Sequence, residues 1–183
     1  MGNAERHRRV LNMKQLLVVI TALCASFIPA LADGASGAMS VGAGPNGYDW
    51  LIGTWSCRNT LAASKLGALP STSLTVTRVK DGSGLVVHTT SPNGDVTVYY
   101  AYVPSTKTWF SPFVDSGGNY GYESTQQSGR TIRWTGTFYL TNGSATPIRD
   151  TFTMLGMAKQ YDLSEASVHG AWTTVAKTTC TKS

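Results

Sequence analysis

The sequence predicts an all-β fold, an antiparallel up-and-down barrel of about ten strands. Three observations carry that expectation. Turn signals recur every 8 to 14 residues between Asp81 and Ser167. The segments between them are rich in Thr, Val, Tyr, Phe and Trp, residues that suit a pleated, half-buried surface. Two cysteines, Cys57 and Cys180, stand near opposite ends of this array.

The barrel does not begin at the first residue. Leu16 to Ala30 form an apolar run behind Arg6, Arg8, Arg9 and Lys14, and Ala30-Leu31-Ala32 supplies a small-x-small site. This reads as a secretory signal peptide over residues 1–32, with Met13 as an alternative start. The run is shorter than the roughly 20 residues a membrane span needs. Its removal takes away four basic residues and one acidic one, lowering the formal charge from +5 to +2. No basic cluster then remains, so nucleic acid is not an expected partner. Nor is any membrane span expected after cleavage. The expected destination is the periplasm or the exterior. Residues 33–47, rich in Gly, Ala and Ser, read as a flexible leader, and 48–183 as a single barrel domain.

The expected strands follow in order. The first is 49–58, opened by Asp49-Trp50-Leu51. Only 59–71 could hold a short helix, around Thr60 to Leu66. Strands at 72–80 and 84–91 flank Asp81-Gly82-Ser83-Gly84. The next, 95–103, is joined to 84–91 by Asn93-Gly94, which favours a two-residue type I′ turn. That turn would pair Val87 with Tyr100 and Leu85 with Tyr102, leaving Val86, His88, Tyr99 and Ala101 outside. Strands at 107–114 and 119–126 flank Asp115–Asn119. Those at 130–141 and 145–156 flank a three-residue Asn142-Gly143-Ser144 loop. Apolar matching then pairs Phe138 with Ile148, Trp134 with Phe152 and Ile132 with Met154, so that Asp150 faces Gly136. Strands at 158–164 and 167–179 flank Ser164–Ser167.

In an exported chain the two remaining cysteines can form one bridge. In an up-and-down barrel the first and last strands are neighbours, so a Cys57–Cys180 disulfide would lock the closure. A sandwich could also bring its terminal strands together, and the bridge is therefore support for the barrel rather than its proof.

Tyr48-Asp49-Trp50-Leu51-Ile52-Gly53-Thr54-Trp55 carries a Gly-x-Trp at the start of the first strand and resembles the calycin group, the lipocalin and nitrobindin-like barrels. Lys107-Thr108-Trp109, Asp115-Ser116-Gly117-Gly118 and Thr131-Ile132-Arg133-Trp134 are similar to an uncharacterised family of small exported bacterial barrels related to it. The resemblance spans roughly Tyr48 to Lys182 and implies an apolar lumen. It also implies a cation from the last strand over the first-strand tryptophan. Lipocalins use arginine there; no arginine follows Arg149, so Lys177 or Lys182 would take that place. Nitrobindin-like proteins bind haem through a histidine entering the last strand, which makes His169 the implied ligand under that secondary reading.

No catalytic set stands out. Gly82-Ser83-Gly84 is a turn rather than a nucleophile elbow, and zinc and EF-hand spacings are absent from the sequence. The chain reads as a binding or structural protein rather than an enzyme, with no cofactor expected outside the haem alternative. Tyr100, Tyr102, Trp134, Asp150 and Phe152 share the inward faces and are the candidate ligand contacts. The expected function is to hold a small hydrophobic or aromatic molecule in the lumen. The alternative is an envelope structural or interaction protein with a filled core.

Overall fold

The computed structural model describes residues 44–59, 71–92 and 94–183. The expected signal segment, most of the expected leader and the candidate helix around 60–66 lie outside the described residues. Ten strands follow in sequence: β1 (Gly53–Asn59), β2 (Thr72–Arg78), β3 (Gly84–Thr90), β4 (Val96–Val103), β5 (Thr108–Asp115), β6 (Tyr120–Thr125), β7 (Thr131–Tyr139), β8 (Ala145–Gly156), β9 (Lys159–Val168) and β10 (Ala171–Lys182). Each pairs antiparallel with its chain neighbours, and β1 pairs with β10, so the sheet closes as an up-and-down barrel. Burial alternates along the strands, most clearly in β2 and β5, as a sheet with one face on a core requires. Among the described residues no helix is long and apolar enough to cross a membrane.

The closing seam rests on Gly53, Trp55, Cys57, Cys180 and Lys182. Trp55 pairs with Lys182 and Cys57 with Cys180, and the two cysteines form a disulfide. Trp55 is fully buried and its indole N–H donates to Leu51 O at 2.6 Å. Trp50 meets it edge-on at 6.0 Å. Lys182 Nζ lies 5.3 Å from the Trp55 ring centroid and donates to Trp50 O at 3.0 Å. The cation over the first-strand tryptophan is therefore a lysine, attracted by the ring's negative face. Gly53 makes room for it: a Cβ there would stand 2.7 Å from Lys182 Cε, at a φ of +131° that other residues avoid.

Four expectations need correction. Asp49–Leu51 is a 3-10 turn rather than the start of β1. Leu51 N–H donates to Tyr48 O and Ile52 N–H to Asp49 O, which folds Trp50 and Leu51 back into the barrel mouth. The β3–β4 register is shifted by two residues, with Leu85 opposite Tyr100 and Val87 opposite Val98. The loop is longer than two residues, closed by Gly94 N–H to Ser91 O, while Asp95 is held by the backbone and hydroxyl of Ser116. The β7–β8 register is shifted by two as well: Ile132 faces Phe152, Trp134 faces Asp150, Gly136 faces Ile148 and Phe138 faces Thr146. Its loop is Thr141-Asn142-Gly143, closed by Leu140 N–H to Ser144 O, with Gly143 at a φ of +83° in the left-handed position that such a three-residue loop requires. Finally, β9 and β10 turn at His169-Gly170, both at positive φ, rather than at Ser164–Ser167. Ser164 and Glu165 belong to β9 because their polar groups are satisfied across the sheet, by Asp150 and Arg149.

Breaking the seam should be costly. The double variant Cys57→Ser/Cys180→Ser is expected to lose about 2–5 kcal/mol in denaturant unfolding. Trp55→Ala is expected to lose about 3–5 kcal/mol. A loss under about 1 kcal/mol for Trp55→Ala would contradict its place as the closing plug.

Candidate functional site

The interior is centred on an aromatic slot. Tyr100 on β4, Trp109 on β5 and Trp134 on β7 point inward and leave a space between them. Tyr48, just before the 3-10 turn, fills it. Its ring stands 4.7 Å edge-on from Trp109, 5.6 Å from Trp134 and 5.8 Å, stacked, from Tyr100. Such contacts are worth about 0.5–1.5 kcal/mol each beyond area burial. Next to it Trp50 covers Phe152 at 5.6 Å. A cavity of about 20 Å³ remains beside Trp55, lined in part by Tyr100, Phe152 and Gln160.

Against this slot lies a group of buried carboxyls. Glu123 on β6, Asp150 on β8 and Asp162 on β9 are all buried, and no lysine, arginine or histidine is among the buried described residues. Ser164 lies opposite Asp150 and its hydroxyl donates to the Asp150 carboxylate. Glu123 donates a second hydrogen bond to Asp150. Burial raises all three carboxyls. Asp150 is pushed up to about 6, restrained by its bonds from Ser164 and Glu123. Glu123 and Asp162 go well above the usual range, each driven first by burial and then by the charge of Asp150. The arrangement therefore keeps protons on Glu123 and Asp162 and leaves Asp150 as the group that ionises first. The Tyr100 phenol is also raised, by burial and then by Asp162. Asp162 Oδ1, Glu123 Oε1, Gln160 Oε1 and Tyr48 OH have no hydrogen-bond partner.

All five sequence-predicted ligand contacts face this interior, and each touches the chain itself. Tyr100 and Trp134 hold Tyr48, Phe152 holds Trp50, Tyr102 packs on Trp109 at 5.4 Å, and Asp150 is bonded to Ser164 and Glu123. Asp150 faces Trp134 across the sheet rather than Gly136, so the free space expected beside it is taken by an indole. Among the interior residues not read from the sequence are Tyr48, Glu123, Asp162 and Trp109. Parity could have found the second, since Glu123 alternates with Tyr120 and Tyr122, but those tyrosines look like the core-facing set. His169 lies in the exposed β9–β10 turn at the barrel rim, and His88 is exposed and hydrogen-bonded to Thr97. Among the described residues no three His, Cys, Asp or Glu side chains are grouped to hold a metal ion. No protein-family model matches the chain, and no curated protein matches its sequence.

The carboxyl group sets a pH dependence. An acid whose pKa is higher folded than unfolded binds its proton more tightly in the native state. Its stabilising share is complete below the unfolded value, about 4, and is lost as pH rises through the folded value. For Asp150 that value is about 6, and for Glu123 and Asp162 it is higher. The barrel is expected to melt at a higher temperature at pH 5 than at pH 8, its stability falling by up to about 1.4 kcal/mol per pH unit for each group as that group ionises. Asp162→Asn should flatten the profile. A melting temperature that rises from pH 5 to pH 8 would show the carboxyls to be ionised and compensated.

Proposed function

We propose that this is an exported barrel of calycin-like build whose core is filled by its own chain and which acts through its outer surface, as an envelope structural or interaction protein. One observation carries the reading: Tyr48 occupies the slot between Tyr100, Trp109 and Trp134, where a small aromatic ligand would sit. The cavity of about 20 Å³ beside Trp55 has room for a water molecule, whereas small-molecule sites run to about 300–1,000 Å³. Export to the periplasm or the exterior is supported by the apolar run before residue 32 and by the disulfide, which persists in an oxidising compartment. Calycin kinship is supported by Gly53, Trp55 and Lys182 as a set, a glycine giving way to a cation over a buried indole.

A second reading keeps a small ligand in the lumen. It is favoured by the unpartnered acceptors of Asp162 and Gln160, which would suit a molecule carrying hydrogen-bond donors.

Mass spectrometry of small molecules released from the native exported protein separates the two. The filled core predicts none at stoichiometric amount; a bound apolar or donor-bearing molecule would restore the lumen reading. A variant gives an independent check. Tyr48→Ala should cost about 3–5 kcal/mol and leave a cavity shaped like its lost side chain. Added p-cresol should then raise the melting temperature of the variant and leave that of the wild type unchanged. An equal rise in the wild type would mean that the slot is accessible.

A further inference from the structure

We propose that the outer face of β4–β6 is a self-association surface, through which two copies of this chain pair about a two-fold axis; this rests on the reading that the protein acts through its exterior. The face is broad and apolar. Tyr99 and Val103 on β4, Phe110 and Val114 on β5, and Tyr120 and Tyr122 on β6 point outward, with exposures of 47%, 38%, 37%, 45%, 53% and 40%. The half-buried Pro112, opposite Tyr122, fills its middle, and Tyr139 on β7 bounds it. At about 150–250 Å² for a whole aromatic side chain, the exposed parts of the six outward residues come to roughly 450 Å². Apolar surface of this extent does nothing for the core and marks a recognition face.

The face is also free of charge. β4, β5 and β6 contain no lysine or arginine, and their two acids, Asp115 and Glu123, are buried. Outward charges stand instead on β1, β2 and β7–β10, Arg58, Arg78, Arg133 and Arg149 among them. The rings are held in place by one another. Tyr120 and Tyr139 stack at 5.0 Å with planes 13° apart, Tyr122 lies 6.5 Å from Tyr139, and Phe110 lies 5.8 Å from Tyr122. Side chains fixed in this way lose little freedom when a partner covers them.

Charge, area and shape together select a second copy as the occupant. A partner of different sequence is singled out by complementary charges, and wrong pairs are suppressed by like ones. A neutral face carries no such code and meets its own copy without repulsion. An interface of standard size buries about 800 Å² per partner, of which roughly 56–65% is apolar. The apolar share is thus about 450–500 Å², close to what this face exposes. The outer wall of a closed barrel is a hyperboloid, convex around the barrel and concave along it. Two such saddles fit when one is turned through a right angle on the other, and a two-fold axis between them produces that arrangement. Other occupants fit less well. A closed barrel has no edge strand, so an extended peptide cannot be captured by backbone pairing. Faces that lie on a lipid surface set lysine and arginine beside their apolar side chains, and β4–β6 have neither.

The test is sedimentation velocity of the full chain, purified after export, over a range of concentrations. Interfaces of this size bind at micromolar concentration or tighter, so a dimer is expected to dominate by about 100 μM. Tyr99→Lys and Tyr122→Lys, both at exposed positions, each place one new charge on either side of the seam. Each should weaken the dimer by at least about tenfold. Trp172→Ala, at the exposed indole of β10, should leave it unchanged. Hydroxyl-radical labelling of the wild-type chain needs no substitution. Tyr99, Tyr120 and Tyr122 should be labelled less at about 100 μM than at about 1 μM, and Trp172 equally at both. A monomer at every concentration would overturn the proposal, as would a dimer that both lysine variants leave intact or tyrosine labelling that does not change with concentration. A chain that stays monomeric and floats with phosphatidylglycerol vesicles would overturn it too, since a lipid surface would then be what covers the face. None of these outcomes touches the filled core, which stands or falls on the small-molecule release.

Discussion

The β1–β10 seam is the constraint on which the rest of the barrel depends. Nine of its strand pairs join chain neighbours, and hairpins can form them locally. The tenth must bring together residues 123 positions apart. Closing so long a loop costs chain entropy before any contact rewards it. Three interactions of different kinds share that cost: the ladder of backbone hydrogen bonds, the Cys57–Cys180 bond, and the Lys182 ammonium held between the Trp55 ring and Trp50 O. The last also fixes the direction in which the chain enters. With Trp50 O engaged by Lys182 and Asp49 ion-paired with Arg78, the segment before β1 is tied to the rim at two points.

That tie explains why the interior holds what it does. Once residues 49–51 are anchored at the mouth, Tyr48 can reach only inward, and its ring lies among Tyr100, Trp109 and Trp134. The entering segment thus behaves as a covalently attached ligand, present at an effective concentration that no free molecule of similar size would match. The buried carboxyls follow the same economy. Three acids without a cation cannot all ionise in a dry interior. They share protons, with Glu123 donating to Asp150, so hydrogen bonds from Glu123 and Ser164 stand in place of a cation around Asp150.

The strand number and the inward faces were legible in the sequence because a period of two is a strong signal when one face is buried. Leu85, Val87, Trp134 and Phe152 all sit on the expected side. The registers were less legible for the same reason. A slip of two residues keeps every side chain on its face, so matching Phe138 to Ile148 looks as good as matching Gly136 to it. Only turn chemistry breaks the tie, through Gly143 at positive φ in one hairpin and the Ser91–Gly94 contacts in the other. Ser164–Ser167 was misread because polar residues signal turns until their partners are known. Lys182 as the cation over Trp55 was within reach, since the resemblance to calycins demands a cation there and the last strand offers few. Tyr48 was not: one residue in a turn has no periodicity.

The inverted appearance of β6 has a physical cause, and it ties the inside of the barrel to the outside. Hydrophobicity alone would turn Tyr120 and Tyr122 inward and Glu123 outward. The structure does the reverse, and Gly121 shows why. Phe113 on β5 and Phe138 on β7 both pair with Gly121 and stack over it, with centroids 6.1 Å apart and planes 13° from parallel. A Cβ at this position would stand 2.4 Å from Phe113 Cζ. Only glycine lets the two phenylalanines meet, so position 121 must face inward. Alternation then places Glu123 among the interior carboxyls and drives both tyrosines into solvent. A small residue required by core packing thereby sets the composition of the outer wall.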